Sequence, residues 1–146
     1  MHIHKLQRLA YRLNENKIPF IPKMFYYIIF FLYNSSIPYT IKIGKNTRFA
    51  YGGIGVVIHG RAIIGQNCMI GQGITIGGRS KHKDVPIIGN SVYLGAGCRI
   101  LGPIKIGDNV IIGPNAVVLE NIPSNSIAVG IPAKVIKKGI KVEDYV

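Results

Sequence analysis

The sequence predicts an all-β fold, a left-handed parallel β-helix preceded by a short N-terminal helical segment, on three observations. From Ile58 an aliphatic residue recurs every six positions, at Ile58, Ile64, Ile70, Ile76, Ile88, Leu94, Ile100, Ile106, Ile112 and Val118. Four residues after each stands a small or aliphatic one, as at Ala62, Cys68, Ile74, Val92, Cys98, Val110 and Ala116. Glycine dominates the position directly after the aliphatic, at Gly65, Gly71, Gly77, Gly89, Gly95, Gly107 and Gly113. A period of six cannot come from a helix of about 3.6 residues per turn, and it is the repeat of a parallel β-helix. Three hexads make one triangular coil, and coils stack at about 4.8 Å through parallel ladders. The glycines are read as corners, where a residue without Cβ turns most easily.

The elements follow in order. From His4 to Leu13 the residues Leu6, Leu9, Ala10 and Leu13 recur at helical spacing, so an amphipathic helix is expected. IPFIP, Ile18 to Pro22, breaks it, because proline removes a donor and disfavours helix in its predecessor. Met24 to Tyr33, MFYYIIFFLY, is too short for the roughly 20 apolar residues of a membrane span. Two readings stand: a buried cap on the domain, or an interfacial anchor accompanied by Lys5, Arg8, Arg12, Lys17 and Lys23. The segments are therefore 1–40 helical and capping, 41–138 β-helix with a loop at 78–87, and 139–146 a C-terminal tail.

Two irregularities interrupt the repeat. The register set by Ile43 and Phe49 must slip by three residues within Tyr51 to Gly55 to reach Ile58. The step from Ile76 to Ile88 spans the polar stretch GGRSKHKDVP, read as a loop leaving the prism. If the loop lies outside the coil, the hexads starting at Ile58, Ile76, Ile100 and Val118 share one face. The corners that lack glycine after the aliphatic, His59, Leu101 and Leu119, then fall together on that face.

Composition bounds the function. The length of 146 residues suits one domain, and 48% hydrophobic residues exclude disorder. A net charge of +12 calls for an anionic partner, but the aromatics do not interleave with the charges as a nucleic-acid platform requires. Phosphates on a small molecule fit better. Cys68 and Cys98 form no CxxC, occupy inward positions, and read as buried free thiols. No secretory signal is legible, which points to the cytoplasm. No histidine cluster of metal-ligand density and no paired carboxylates stand out, so no metal is expected.

IGQNCMIGQGITIGG (Ile64 to Gly78), PIIGNSVYLGAGCRILGPIKIGDNVIIGPNAVV (Pro86 to Val118) and AVGIPAKVI (Ala128 to Ile136) together resemble the hexapeptide-repeat acyltransferases. Within them the chain is most similar to the branch like serine acetyltransferase. The resemblance implies a homotrimer about a three-fold axis, with acetyl-CoA held in the groove between neighbouring prisms. Many such proteins acetylate sugar hydroxyls in polysaccharide or capsule synthesis. Serine acetyltransferase carries a catalytic His just before its GIVV segment and an assisting Asp upstream. Here Gly52 stands near the His position and SSIPYT holds no Asp. Val85 precedes Pro86 where that enzyme has a serine-binding His.

Acetyl transfer to a hydroxyl needs a base, and at neutral pH histidine is the natural one. His2 and His4 lie in a terminus expected to fray. His59 occupies a corner normally given to glycine, next to both the slip and the loop, and is the expected general base. Asp84 is the candidate to orient it, with a backbone carbonyl as the alternative, and His82, in SKHKD, is a candidate acceptor contact. The resemblance maps acetyl-CoA onto Gly77, Gly78, Ala96 and Pro114, and Lys134 in IPAK, with Lys137 and Lys138, supplies candidate point charges for its phosphates. The expected activity is acetyl-CoA-dependent O-acetylation of a sugar hydroxyl. The alternatives are serine as acceptor, N-acetylation of an amino sugar, or a non-catalytic β-helix binding module. Membrane contact through the N-terminal segment is a further possibility.

Overall fold

The structure, a computed structural model, describes residues 3–146. Two helices come first, α1 (Ile3–Glu15) and α2 (Ile21–Tyr33). In α1 the buried stripe is Ile3, Leu6, Gln7 and Ala10, so the helix is turned from the expected one and Leu9 is left exposed. Gln7 is tolerated inside because its Nε2 donates to Ile41 O at 2.9 Å. Pro22 sits in the first turn of α2, where its missing N–H is not needed.

The buried-cap reading of Met24 to Tyr33 holds for one side of α2 only. Ile29 is fully buried, Phe25, Ile28 and Tyr33 pack against the core, and Tyr26 hydrogen-bonds Ser36 at 3.1 Å. The other side, with Phe20, Met24, Tyr27, Phe31 and Leu32, is exposed. A single helix lying on the end of a prism has only one face to bury.

Twelve short strands then wind through three parallel sheets. The first face holds β1 (Lys42–Ile43), β4 (Ile63–Ile64), β7 (Ile87–Ile88) and β10 (Lys105–Ile106). The second holds β2 (Arg48–Phe49), β5 (Met69–Ile70), β8 (Tyr93–Leu94) and β11 (Val110–Ile112). The third holds β3 (Val57–Ile58), β6 (Thr75–Gly77), β9 (Arg99–Leu101) and β12 (Val117–Val118). Each inward aliphatic pairs with its counterpart one coil on, Ile58 with Ile76 and Ile76 with Ile100. These columns are closed to solvent, and burying each such side chain stabilises by roughly 1.5–3 kcal/mol. The chain already joins the prism at Ser36, which bridges to Val57, and Ile37 is fully buried.

Both interruptions of the hexad are local. The slip is a turn at Ala50–Gly53 in which Tyr51, Gly52 and Gly53 all take left-handed backbone, with Gly55 following. Residues 78–86 leave the coil between β6 and β7, so Ile58, Ile76, Ile100 and Val118 do share one face. After β12 the chain passes Ile122, bridged to Ile106. β13 (Ser126–Gly130) then adds to the second face, parallel to β11, and β14 (Ala133–Lys138) folds back antiparallel on β13 as the edge of that sheet. The tail folds back toward the second face, where Asn109 accepts Val142 N–H at 2.7 Å and donates to Ile140 O at 2.6 Å.

The glycines after the aliphatics are corners for a reason other than the one expected. Those on the first two faces have ordinary negative φ but no room for a side chain. A Cβ on Gly71 would lie 2.7 Å from Ala96 N, and one on Gly95 2.6 Å from Pro114 N. The third-face corner is open, since a Cβ on Gly77 would meet nothing nearer than Leu101 Cδ2 at 3.4 Å. His59, Leu101 and Leu119 fit there without strain, so His59 bears no conformational penalty for replacing glycine. Left-handed corners do occur, but at residues such as Asn46, Asn67, Ser91 and Asn109 further into each turn.

Candidate active site on the third face

The outward side chains of the third face are Val57, Thr75, Arg99 and Val117, flanked by two rows of corners. On one edge Gly77 ends β6 and Gly78 follows it, one coil above His59. On the other edge Ala96 follows β8 and Pro114 follows β11. The residues mapped onto acetyl-CoA thus divide between the two edges of one face. Small residues suit a bound chain: Gly73, on the second edge, has no atom within 4 Å of where a Cβ would stand.

His59 is exposed at the foot of the loop. A Cβ built on Gly78 lies 4.0 Å from His59 Cδ2 and 3.7 Å from Val85 Cγ1, so ring, loop start and loop end meet there. Its Nδ1 accepts the Arg61 backbone N–H at 3.2 Å. That bond requires a lone pair on Nδ1, so the neutral ring in this orientation carries its proton on Nε2.

Asp84 makes no hydrogen bond to His59 and does not orient it. Nδ1 is already occupied, and Asp84 instead lines a groove of about 290 Å³ on the first face with Arg61, Val85, Ile87 and Lys105. His82 is exposed in the loop, its backbone N–H turned onto Arg79 O at 3.1 Å. His4 lies in α1, away from this corner, and His2 lies outside the described residues. Among the described residues no group of three or more His, Cys, Asp or Glu comes together as for a metal ion.

Lys134 is exposed on β14 and pairs with Glu120 at 3.2 Å. A pair this exposed is worth about 0–1 kcal/mol, so an incoming phosphate could displace the carboxylate. The thiols are inert by burial: Cys68 is held above its ordinary pKa and Cys98 is pushed up to about 12.

Two arginines were not singled out by sequence reasoning. Arg61 Nη2 donates to Lys83 O at 2.5 Å and pins the loop, while its backbone fixes the His59 ring. Arg99 Nη1 caps Gly73 O at 2.5 Å and Gly97 O at 2.9 Å, placing a cation beside the small-residue edge. The only trace in the sequence is a charged residue at an outward hexad position, which solvent exposure explains equally well.

Comparison with known proteins agrees with this geometry. Residues 86–120 match the family model described as bacterial transferase hexapeptide (six repeats). A serine acetyltransferase of Synechococcus elongatus is 40% identical over 139 residues, covering 93% of this chain and 57% of that protein. One from Helicobacter pylori is 41% identical over 140 residues, covering 93% of this chain and 81% of that protein. A solved serine acetyltransferase in complex with CoA superposes with a TM-score of 0.82 at 28% identity, over 92% of this chain and 55% of that one. The chain thus spans little more than half the length of the first and third of these proteins. A hexad repeat along three parallel sheets, with 41% identity across four-fifths of a serine acetyltransferase, places the chain in the hexapeptide-repeat transferase family to which the serine acetyltransferases belong.

Proposed function

We propose that this chain is an acetyl-CoA-dependent O-acetyltransferase with L-serine as acceptor, a left-handed β-helix working as a homotrimer. The observation that carries the reading is likeness to proteins named serine acetyltransferase along 93% of the chain. The third face supports it, with an open corner at Gly77 and Gly78 on one edge and the cation of Arg99 beside the other. A sugar hydroxyl, the acceptor first expected, has no counterpart among these relatives.

His59 acts as the general base in this reading. It removes the hydroxyl proton as the acceptor oxygen attacks the thioester carbonyl, and the departing CoA thiolate takes up a proton. To present a lone pair at Nε2 the ring must give up the Arg61 contact and take the other tautomer. An exposed hydrogen bond is worth about 0.5–1.5 kcal/mol, so release costs up to about tenfold in rate. A positioned base contributes about 10²–10⁴, which exceeds that cost.

A specific observation keeps the sugar hydroxyl as a second reading. The position near which serine acetyltransferase carries its catalytic His is Gly52, at φ 71 within a left-handed turn that disfavours a side chain. Val85, aliphatic, precedes Pro86 at the loop's return. The test is CoA release from acetyl-CoA measured with L-serine and with a panel of sugars. Serine-dependent release outpacing every sugar supports the first reading. Release with a sugar alone transfers the assignment to the second, and a monomer by light scattering removes the shared groove.

A further inference from the structure

The exposed side of α2 is an apolar surface that the candidate active site does not use. Phe20 is 85% exposed, Phe31 77% and Leu32 67%, and with Met24 and Tyr27 they form one continuous stripe. The rings are ordered along the helix: Tyr27 stacks on Phe31 with centroids 6.4 Å apart. Lys23 lies at the border of this stripe, with its Nζ 6.0 Å from the Tyr27 ring. Lys17 is exposed in the turn just before Phe20. On α1 the exposed Lys5, Leu9 and Arg12 are spaced so as to share a helix face. Against these cations the two helices carry one acid, Glu15.

We infer that α1 and α2 dock this protein on an anionic lipid surface. The charge on the pair decides the occupant: basic residues beside an aromatic stripe complement acidic headgroups above an acyl layer, where tyrosine and long cationic side chains favour the boundary. A helix of 13 residues, about 20 Å long, lies in such an interface and does not cross it. Among the described residues no helix is long and apolar enough to span a membrane. The opposite side of α2 is anchored in the core through Ile29, so the stripe is held outward whether or not lipid is present. Such docking confines the enzyme to a surface without touching the third face.

The test is co-sedimentation of the full chain with vesicles of phosphatidylcholine alone and with one part in three phosphatidylglycerol. Binding to the anionic vesicles is expected, weakening as salt rises. Each basic residue near the surface contributes about 1 kcal/mol, about fivefold, so Lys17→Gln with Lys23→Gln lowers partition roughly 25-fold. Phe31→Ser lowers it about tenfold or more, since a whole aromatic side chain no longer enters the apolar layer. Its exposure leaves the fold intact, which a melting curve checks. No sedimentation with anionic vesicles overturns the inference, as does equal binding to neutral ones. A change in assembly mass on Phe31→Ser, with vesicle partition unchanged, also overturns it and makes the stripe a contact between copies.

Discussion

Replacing Gly71 by alanine tests the close approach of successive coils, and Gly77→Ala is its internal control. The new Cβ at position 71 would stand 2.7 Å from Ala96 N and 2.8 Å from both Ala96 Cα and Leu94 O. Ordinary contact between such atoms is about 3.5 Å, so the coil above must rise by roughly 0.7–0.8 Å. The ladder bonds that join these coils, Gly71 N to Leu94 O at 2.8 Å and Met69 N to Val92 O at 2.9 Å, then open. At about 3.6 Å such bonds are lost. Two bonds at about 1 kcal/mol each, with overpacking strain of 1–3 kcal/mol, give a destabilisation of about 3–5 kcal/mol. In a chain of this size that lowers Tm by roughly 6–20 °C. Gly77→Ala meets only flexible side chains, Leu101 Cδ2 at 3.4 Å and Thr75 Cγ2 at 3.6 Å, and should melt within about 2 °C of the parent. If Gly77 lines the acetyl-CoA groove, the same variant weakens CoA binding by calorimetry while its melting is unchanged. Equal melting of the two variants would refute the packing account of the corners.

Three further outcomes follow from particular residues. His59→Ala should lower kcat about 100-fold or more with acetyl-CoA affinity little changed, and His82→Ala should chiefly raise acceptor KM; the reverse result makes the loop the source of the base. Ser91, at φ 52, stands in a row of left-handed corners otherwise filled by Asn46, Asn67, Asn109 and Asn125, so Ser91→Asn should stabilise by about 0.5–1 kcal/mol in urea unfolding. The Cys98 thiol ionises near 12 when folded and at about 8.5 when unfolded, so its contribution is fully present below pH 8.5 and is lost as pH rises toward 12. Cys98→Ala should flatten the fall in stability over that window by up to about 1.4 kcal/mol per pH unit, and an unchanged slope would contradict the burial.

The sequence alone determined the prism, because an inward column admits only aliphatic side chains and therefore repeats at every turn of the backbone. Ile58, Ile76, Ile100 and Val118 could be assigned to one face, and residues 78–87 to an excursion, from the repeat; the structure returns the chain to the coil one residue sooner, with Ile87 already in β7. Burial of Cys68 and Cys98 followed from the same inward positions. The tertiary structure decided what depends on neighbours distant in the chain. Which corners exclude a Cβ is set by the backbone one coil away, as between Gly71 and Ala96, so the absence of glycine at His59 carried no sign of strain. The His59 tautomer is set by the Arg61 backbone and the loop by the Arg61 side chain, while Asp84 turns to another face. Lys134 meets Glu120 only because the hairpin returns across the last coil. The outer side of α2 could not be told from its buried side by composition, since both are aromatic and aliphatic; only the seat of Ile29 in the core turns one inward and leaves the other exposed.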